Sequence, residues 1–181
     1  MLIQRKQSGF SLIELLIGIA IMAILMGLAM PSFQTWLQNS QIRNAAESIQ
    51  NGLQRARSES VGRNTNVEFV LGAGSSWTVQ VVGGDVIESR SASEGSKDVT
   101  VTALAADSSP ATTITFNNFG GVGVPPKQPL NTDDSAPFVQ VDLDSSVLSP
   151  ADSQELRVTI GIGGNVRMCD PNASGTSPRA C

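Results

Sequence analysis

From Phe10 to Phe33 the chain reads FSLIELLIGIAIMAILMGLAMPSF, with Glu14 its only charge and no charged residue at all from Leu15 to Met30. A helix needs about 20 apolar residues to cross the hydrocarbon core of a bilayer, so this run is read as membrane-inserted. Before it lies MLIQRKQSG, in which Arg5 and Lys6 are the only charges. Basic flanks stay on the cytoplasmic side, which sends the remainder of the chain across. A cleaved secretory signal is the competing reading, because Gly27-Leu28-Ala29 offers the small-x-small pattern its peptidase recognises. Against it stand a run longer than the roughly 7 to 15 residues of a signal core and the carboxylate inside it. On the insertion scale a carboxylate at mid-membrane costs about 2.5 to 3.5 kcal/mol, so Glu14 is expected to have a partner. Without one it would have to snorkel to the headgroups.

Composition narrows the chemistry. The 181 residues include no His, which removes His-assisted nucleophiles, imidazole metal sites and imidazole proton shuttles together. With 12 Lys and Arg against 16 Asp and Glu, the formal charge is -4. A general nucleic-acid binder usually carries clustered excess cations to replace phosphate counterions. Gly120-Gly121-Val122-Gly123 and Gly161-Ile162-Gly163-Gly164 look superficially like phosphate loops, but neither opens a helix, so both are read as turns. Asp142 and Asp144 share one face of an expected strand and are read as solvated rather than as a Ca²⁺ site. No catalytic constellation, cofactor motif or metal site is expected, and the chain is not read as an enzyme.

A short basic leader ending in Gly9, then Phe10, then Glu14 and an apolar helix, resembles the N-terminus of type IV pilins and type II secretion pseudopilins. The resemblance implies cleavage between Gly9 and Phe10 by a prepilin peptidase, N-methylation of Phe10 and retention of the apolar helix. It also implies assembly with other pilins through that helix. The new α-amine, with an ordinary pKa near 8, would sit at the edge of a low-dielectric bundle where Glu14 of a neighbouring subunit neutralises it and fixes axial register. Pro31 stands where such pilins often carry a helix-distorting proline. Gly18, Ala20, Ala23, Gly27 and Ala29 keep the helix slim for close packing. The implied location is the bacterial inner membrane, single-pass, with the globular part in the periplasm.

Beyond Pro31, Ile42, Ala46, Ile49, Leu53, Ala56 and Ser60 or Val61 recur at spacings of three and four, with Gln41, Arg43, Glu47, Gln50, Gln54, Arg55 and Glu59 on the other face. This predicts an amphipathic continuation of the same helix, from about Ser11 to Val61 and so about 75 Å long. Gly62 is the expected C-cap, with Arg57 in the last turn. Eight short runs rich in Val, Ile, Thr and Phe follow: 67–71, 77–82, 86–89, 99–102, 113–116, 138–143, 156–162 and 165–169. They predict an antiparallel sheet against the second half of the helix. Residues 91–97, 105–111 and 123–136 are read as mobile surface loops. The expected class is therefore α+β and pilin-like: leader 1–9, membrane or filament-core helix 10–33, amphipathic half 34–62 and β-rich domain 63–181.

Within that domain, Ile114-Thr115-Phe116 followed by Gly120-Gly121, and LRVTIGIGGNVRMCD from Leu156 to Asp170, resemble the minor pilins that include FimT, FimU and the H-type secretion pseudopilin GspH. This favours a minor subunit that initiates or caps a filament, either a type IV pilus or a type II secretion pseudopilus. Cys169 and Cys181 are expected to form a disulfide in an oxidising compartment, with free thiols the alternative. A second functional reading is DNA uptake, which some FimT-like pilins perform through arginines in a Gly-Arg-x-Arg pattern. Here Gly164-Asn165-Val166-Arg167 lacks the first arginine, and Arg157, Arg167 and Arg179 remain as candidate phosphate contacts.

Overall fold

The structure is a computed structural model that describes residues 10–123 and 131–181. Gly9 and the leader lie outside the described residues, as does part of the expected loop 123–136. The chain divides into two units, Met1–Trp36 and Leu37–Cys181. One helix, α1 (Leu12–Arg63), contributes to both.

In the first unit the apolar part of α1 is long and hydrophobic enough to cross a membrane, and none of that stretch is buried. Leu15, Leu16, Ile17, Ile19, Ile21, Met22, Ile24 and Leu25 are all exposed. A soluble helix does not leave every apolar side chain in water, so this one is built for a bilayer or for other helices.

In the second unit the helix buries Ile42, Ala45, Ala46, Ser48, Ile49, Gly52, Leu53, Ala56 and Ser60. Of the two candidates at its end, Ser60 is inside and Val61 outside. Small residues dominate the stripe, so the sheet comes close to the helix axis. A Cβ on Gly52 would lie 2.7 Å from Phe69 Cε2 and 3.1 Å from Trp77 Cζ2. The helix ends two residues later than expected. Gly62 is inside the last turn, and Asn64 takes the left-handed position at φ 52°. Its N–H donates to Val61 O (3.3 Å) and that of Thr65 to Ser60 O (3.1 Å), closing the end as a Schellman turn. Arg63, not Arg57, lies in the last turn. A hydrogen bond from Arg63, with the charge of Arg55 beside it, holds the Glu59 carboxyl below its usual range.

All eight expected strands form: β1 (Val67–Leu71), β2 (Trp77–Val81), β3 (Val86–Arg90), β4 (Val99–Ala105), β5 (Thr113–Phe116), β6 (Phe138–Ser145), β7 (Leu156–Ile160) and β8 (Val166–Cys169). They make two four-stranded antiparallel sheets rather than one, in the orders β3-β2-β1-β5 and β4-β6-β7-β8. In the first, Phe69 faces Val79 and Ile114 in register; in the second, Val141 faces Val158. One core joins the helix stripe to both sheets. Phe69 links them, stacked on Trp77 at 5.5 Å and edge-on to Phe138 at 6.1 Å. Trp77 Nε1 donates to Ser48 Oγ at 2.8 Å, which satisfies the indole inside the core.

Two expected loops are more structured than predicted. β4 extends into 105–111 as far as Ala105, which is buried. Asn131 is also buried: Thr115 Oγ1 donates to its Oδ1 (2.9 Å), and its Nδ2 donates to Thr113 O (3.1 Å) and Ser135 O (3.1 Å). Beside it the buried Glu68 carboxylate accepts hydrogen bonds from Gln80 Nε2, Thr132 N and Thr132 Oγ1. A buried carboxylate is tolerable only when its oxygens are occupied in this way.

Candidate assembly site and C-terminal brace

Phe10 is 87% exposed at the start of the described chain. Ser11 caps α1: its Oγ accepts from Glu14 N at 3.2 Å, and its carbonyl accepts from Leu15 N at 3.2 Å. Ser11 and Glu14 stand at the spacing of a capping box, a local reason for this pair. The Glu14 side chain has no partner among the described residues of this single chain and lies on the exposed surface. At Gly18 and Gly27 an added Cβ would meet nothing within 4 Å, so both positions are open to another helix. Pro31 lies inside α1, and Thr35 Oγ1 donates to its carbonyl at 3.3 Å. Pro31 has no N–H to give the Gly27 carbonyl four residues before it, so the helix lacks one ladder hydrogen bond there.

At the other end, Cys169 and Cys181 form a disulfide with Sγ–Sγ 2.16 Å and Cα–Cα 5.1 Å. The tail is tied twice more: Asp170 N donates to Arg179 O (2.7 Å), and Arg167 Nη2 donates to Ala180 O (2.8 Å). The loop closed by the disulfide spans 12 residues, for which the chain-entropy model gives about 3 kcal/mol. Cys169→Ser is expected to lower stability by about 2 kcal/mol, read from thermal unfolding, since the two hydrogen bonds still restrain the tail.

The three candidate DNA-contacting arginines sit in three different settings. Arg157, on β7, grips Asp142 on β6 through Nε–Oδ1 at 2.5 Å and Nη2–Oδ2 at 3.1 Å, so its charge is neutralised within the sheet. Arg167 braces the tail. Arg179 lines a cleft of about 460 Å³ together with Arg43, but also with Glu47, Glu155 and Asp170. The same ion pair occupies Asp142, and Asp144 accepts from Ser145 N and Ser153 Oγ. Strand periodicity placed these side chains on a face but could not pair them.

A junction the sequence did not disclose lies between the two glycine-rich turns. Gly120 and Gly164 both have positive φ, and a Cβ on Gly164 would lie 1.9 Å from Gly120 O. Arg57 Nε donates to that same carbonyl at 3.2 Å, so Arg57 fixes a turn instead of serving the helix dipole.

The prokaryotic N-terminal methylation motif matches residues 4–30. The family model described as type II transport protein GspH matches residues 45–179. Two crystal structures of the Pseudomonas aeruginosa type IV minor pilin FimU are similar in fold. One aligns at 17% identity over 78% of this chain and 98% of that one, with a TM-score of 0.51. The other aligns at 16% identity over 75% and 98%, with a TM-score of 0.49. No curated protein sequence matches significantly. The methylation motif and the exposed apolar helix fit a pilin anchored in the inner membrane, and pilins and pseudopilins are structural rather than enzymatic proteins. With the GspH model covering 135 of 181 residues and the helix-on-sheets fold beneath it, the chain belongs to the GspH family of minor pilins and pseudopilins.

Proposed function

We propose that this chain is a minor subunit that initiates or caps a type IV pilus or type II secretion pseudopilus. A prepilin peptidase cuts between Gly9 and Phe10 and methylates Phe10; helix 10–33 then holds the protein in the inner membrane with residues 34–181 in the periplasm. During assembly the same helix moves among those of other pilins, where Glu14 meets a neighbour's N-terminal amine. The observation that carries this reading is a membrane-length helix with no buried residue in its apolar window, its first part lying within a methylation motif that matches residues 4–30 and bearing a single carboxylate in its first turn. Capping the first turn is one use for that carboxylate, and a helical bundle with an amine at each N-terminus supplies a second, a charge to pair with.

Mass spectrometry of the protein recovered from membranes tests the proposal. The expected mature chain has 172 residues and begins with N-methylated Phe10. A chain beginning at Met30 would replace this reading with an ordinary secretory signal. Gly9→Val should leave the leader attached, because a branched side chain takes the place of the smallest one at the cut.

A further inference from the structure

Between Phe10 and Trp36 aromatic residues stand only at the two ends: Phe10 at one, Phe33 and Trp36 at the other, with none in residues 11–32. Phe33 and Trp36 lie one helical turn apart, with ring centroids separated by 5.8 Å. Both are exposed, at 60% and 63%. The other tryptophan, Trp77, is buried in the core with its indole donating to Ser48 Oγ. Phe33 and Trp36 thus form an aromatic patch that the described residues of this chain do not cover.

Charge does not mark where this helix leaves a bilayer, because no charged residue lies between Glu14 and Arg43. Length and side-chain chemistry do. From the helix start at Leu12 to Trp36 the axis runs about 36 Å at ~1.5 Å per residue. A bilayer has a hydrocarbon core about 30 Å thick and measures about 40 to 45 Å with its headgroups. A helix that starts in one headgroup region therefore carries Trp36 into the other. The basic leader, with Arg5 and Lys6, ties the start to the first of these regions. Polarity changes at the far end as well: Gln34 lies between the two rings, and Gln38, Asn39, Ser40 and Gln41 follow them.

We infer that Phe33 and Trp36 form an interfacial anchor that docks on the boundary between headgroups and acyl chains in the leaflet opposite the basic leader, and so sets the depth at which the helix stands before assembly. The partner is a lipid surface. The patch is continuous with the apolar window of the same helix, which is long enough to cross a membrane, and an amphipathic indole favours that boundary over both water and hydrocarbon. The inference rests on the reading of helix 10–33 as a membrane anchor and adds to it the residues that fix its far end.

The full chain, reconstituted at high lipid excess in vesicles of phosphatidylethanolamine and phosphatidylglycerol, tests this through quenching of tryptophan emission by brominated lipids. Subtracting the emission of Trp36→Phe removes the share of Trp77 and leaves that of Trp36. Met22→Trp in the Trp36→Phe background is the mid-span reference, since Met22 is exposed on the same helix. Lipids brominated near the headgroup end of the acyl chain are expected to quench Trp36 about twofold more than lipids brominated near its methyl end, with the order reversed at position 22. Equal or deeper quenching of Trp36 would put it in the hydrocarbon, and no quenching by either lipid would mean that water or protein surrounds it. Each of these overturns the anchor, while quenching at position 22 leaves the membrane helix standing. Silence at position 22 as well would remove both.

Discussion

Gly52→Val is expected to leave the second unit unfolded or lower its stability by about 3 to 5 kcal/mol, against the ~5 to 15 kcal/mol of a typical domain. Helix propensity alone gives the opposite sign, since a mid-helix glycine costs about 1 kcal/mol relative to alanine. Packing decides the matter. The first added carbon would already lie 2.7 Å from Phe69 Cε2, and valine adds two more beyond it. Phe69 cannot withdraw freely, because it is stacked on Trp77 and set edge-on to Phe138. Trp77 is in turn held by Ser48. Thermal unfolding should show the loss, and Phe69→Leu in the same chain should restore part of it by removing the ring edge that the valine strikes. A Gly52→Val variant as stable as the parent would mean that helix and sheet can separate at no cost.

What the sequence disclosed and what it withheld divide along physical lines. Short runs rich in Val, Ile, Thr and Phe located every strand, because β-branched and aromatic side chains suit a pleated, half-buried surface. Pairing is non-local. Nothing in the runs 99–102 and 113–116 says that the first joins β6 and the second joins β1, so two sheets were read as one. At the helix end Gly62 was the stronger local signal, yet Asn64 accepts the left-handed conformation and Asn118 reaches its side chain. The three arginines were adjacent only as a tally. Asp142 neutralises Arg157 from a strand whose register no local pattern specifies. Arg57 is the clearest case, its partner being a carbonyl 63 positions away. At the N-terminus the residues of the methylation motif lie close in sequence, which is why that motif and the apolar run were legible from the start.

Glu14→Ala is expected to insert into the membrane normally and then to be lost from filaments, by roughly tenfold or more in sheared fractions. Insertion should improve if anything, since the change removes the one carboxylate of the apolar segment. Assembly should suffer because a neighbour's α-amine would be left uncompensated in a low-dielectric bundle, where breaking an ion pair costs about 3 to 5 kcal/mol. The capping geometry supplies a rival account: Ser11 Oγ accepts from the backbone N–H of Glu14, and a frayed first turn would also impair assembly. Glu14→Gln separates the two. Glutamine keeps the chain length, the backbone N–H and the capping-box chemistry, and loses only the charge. Failure of Glu14→Gln to assemble, with the helix intact by circular dichroism, would assign the role to the charge. Normal incorporation of Glu14→Gln would give it to the cap, and normal incorporation of Glu14→Ala would end the proposed pairing altogether.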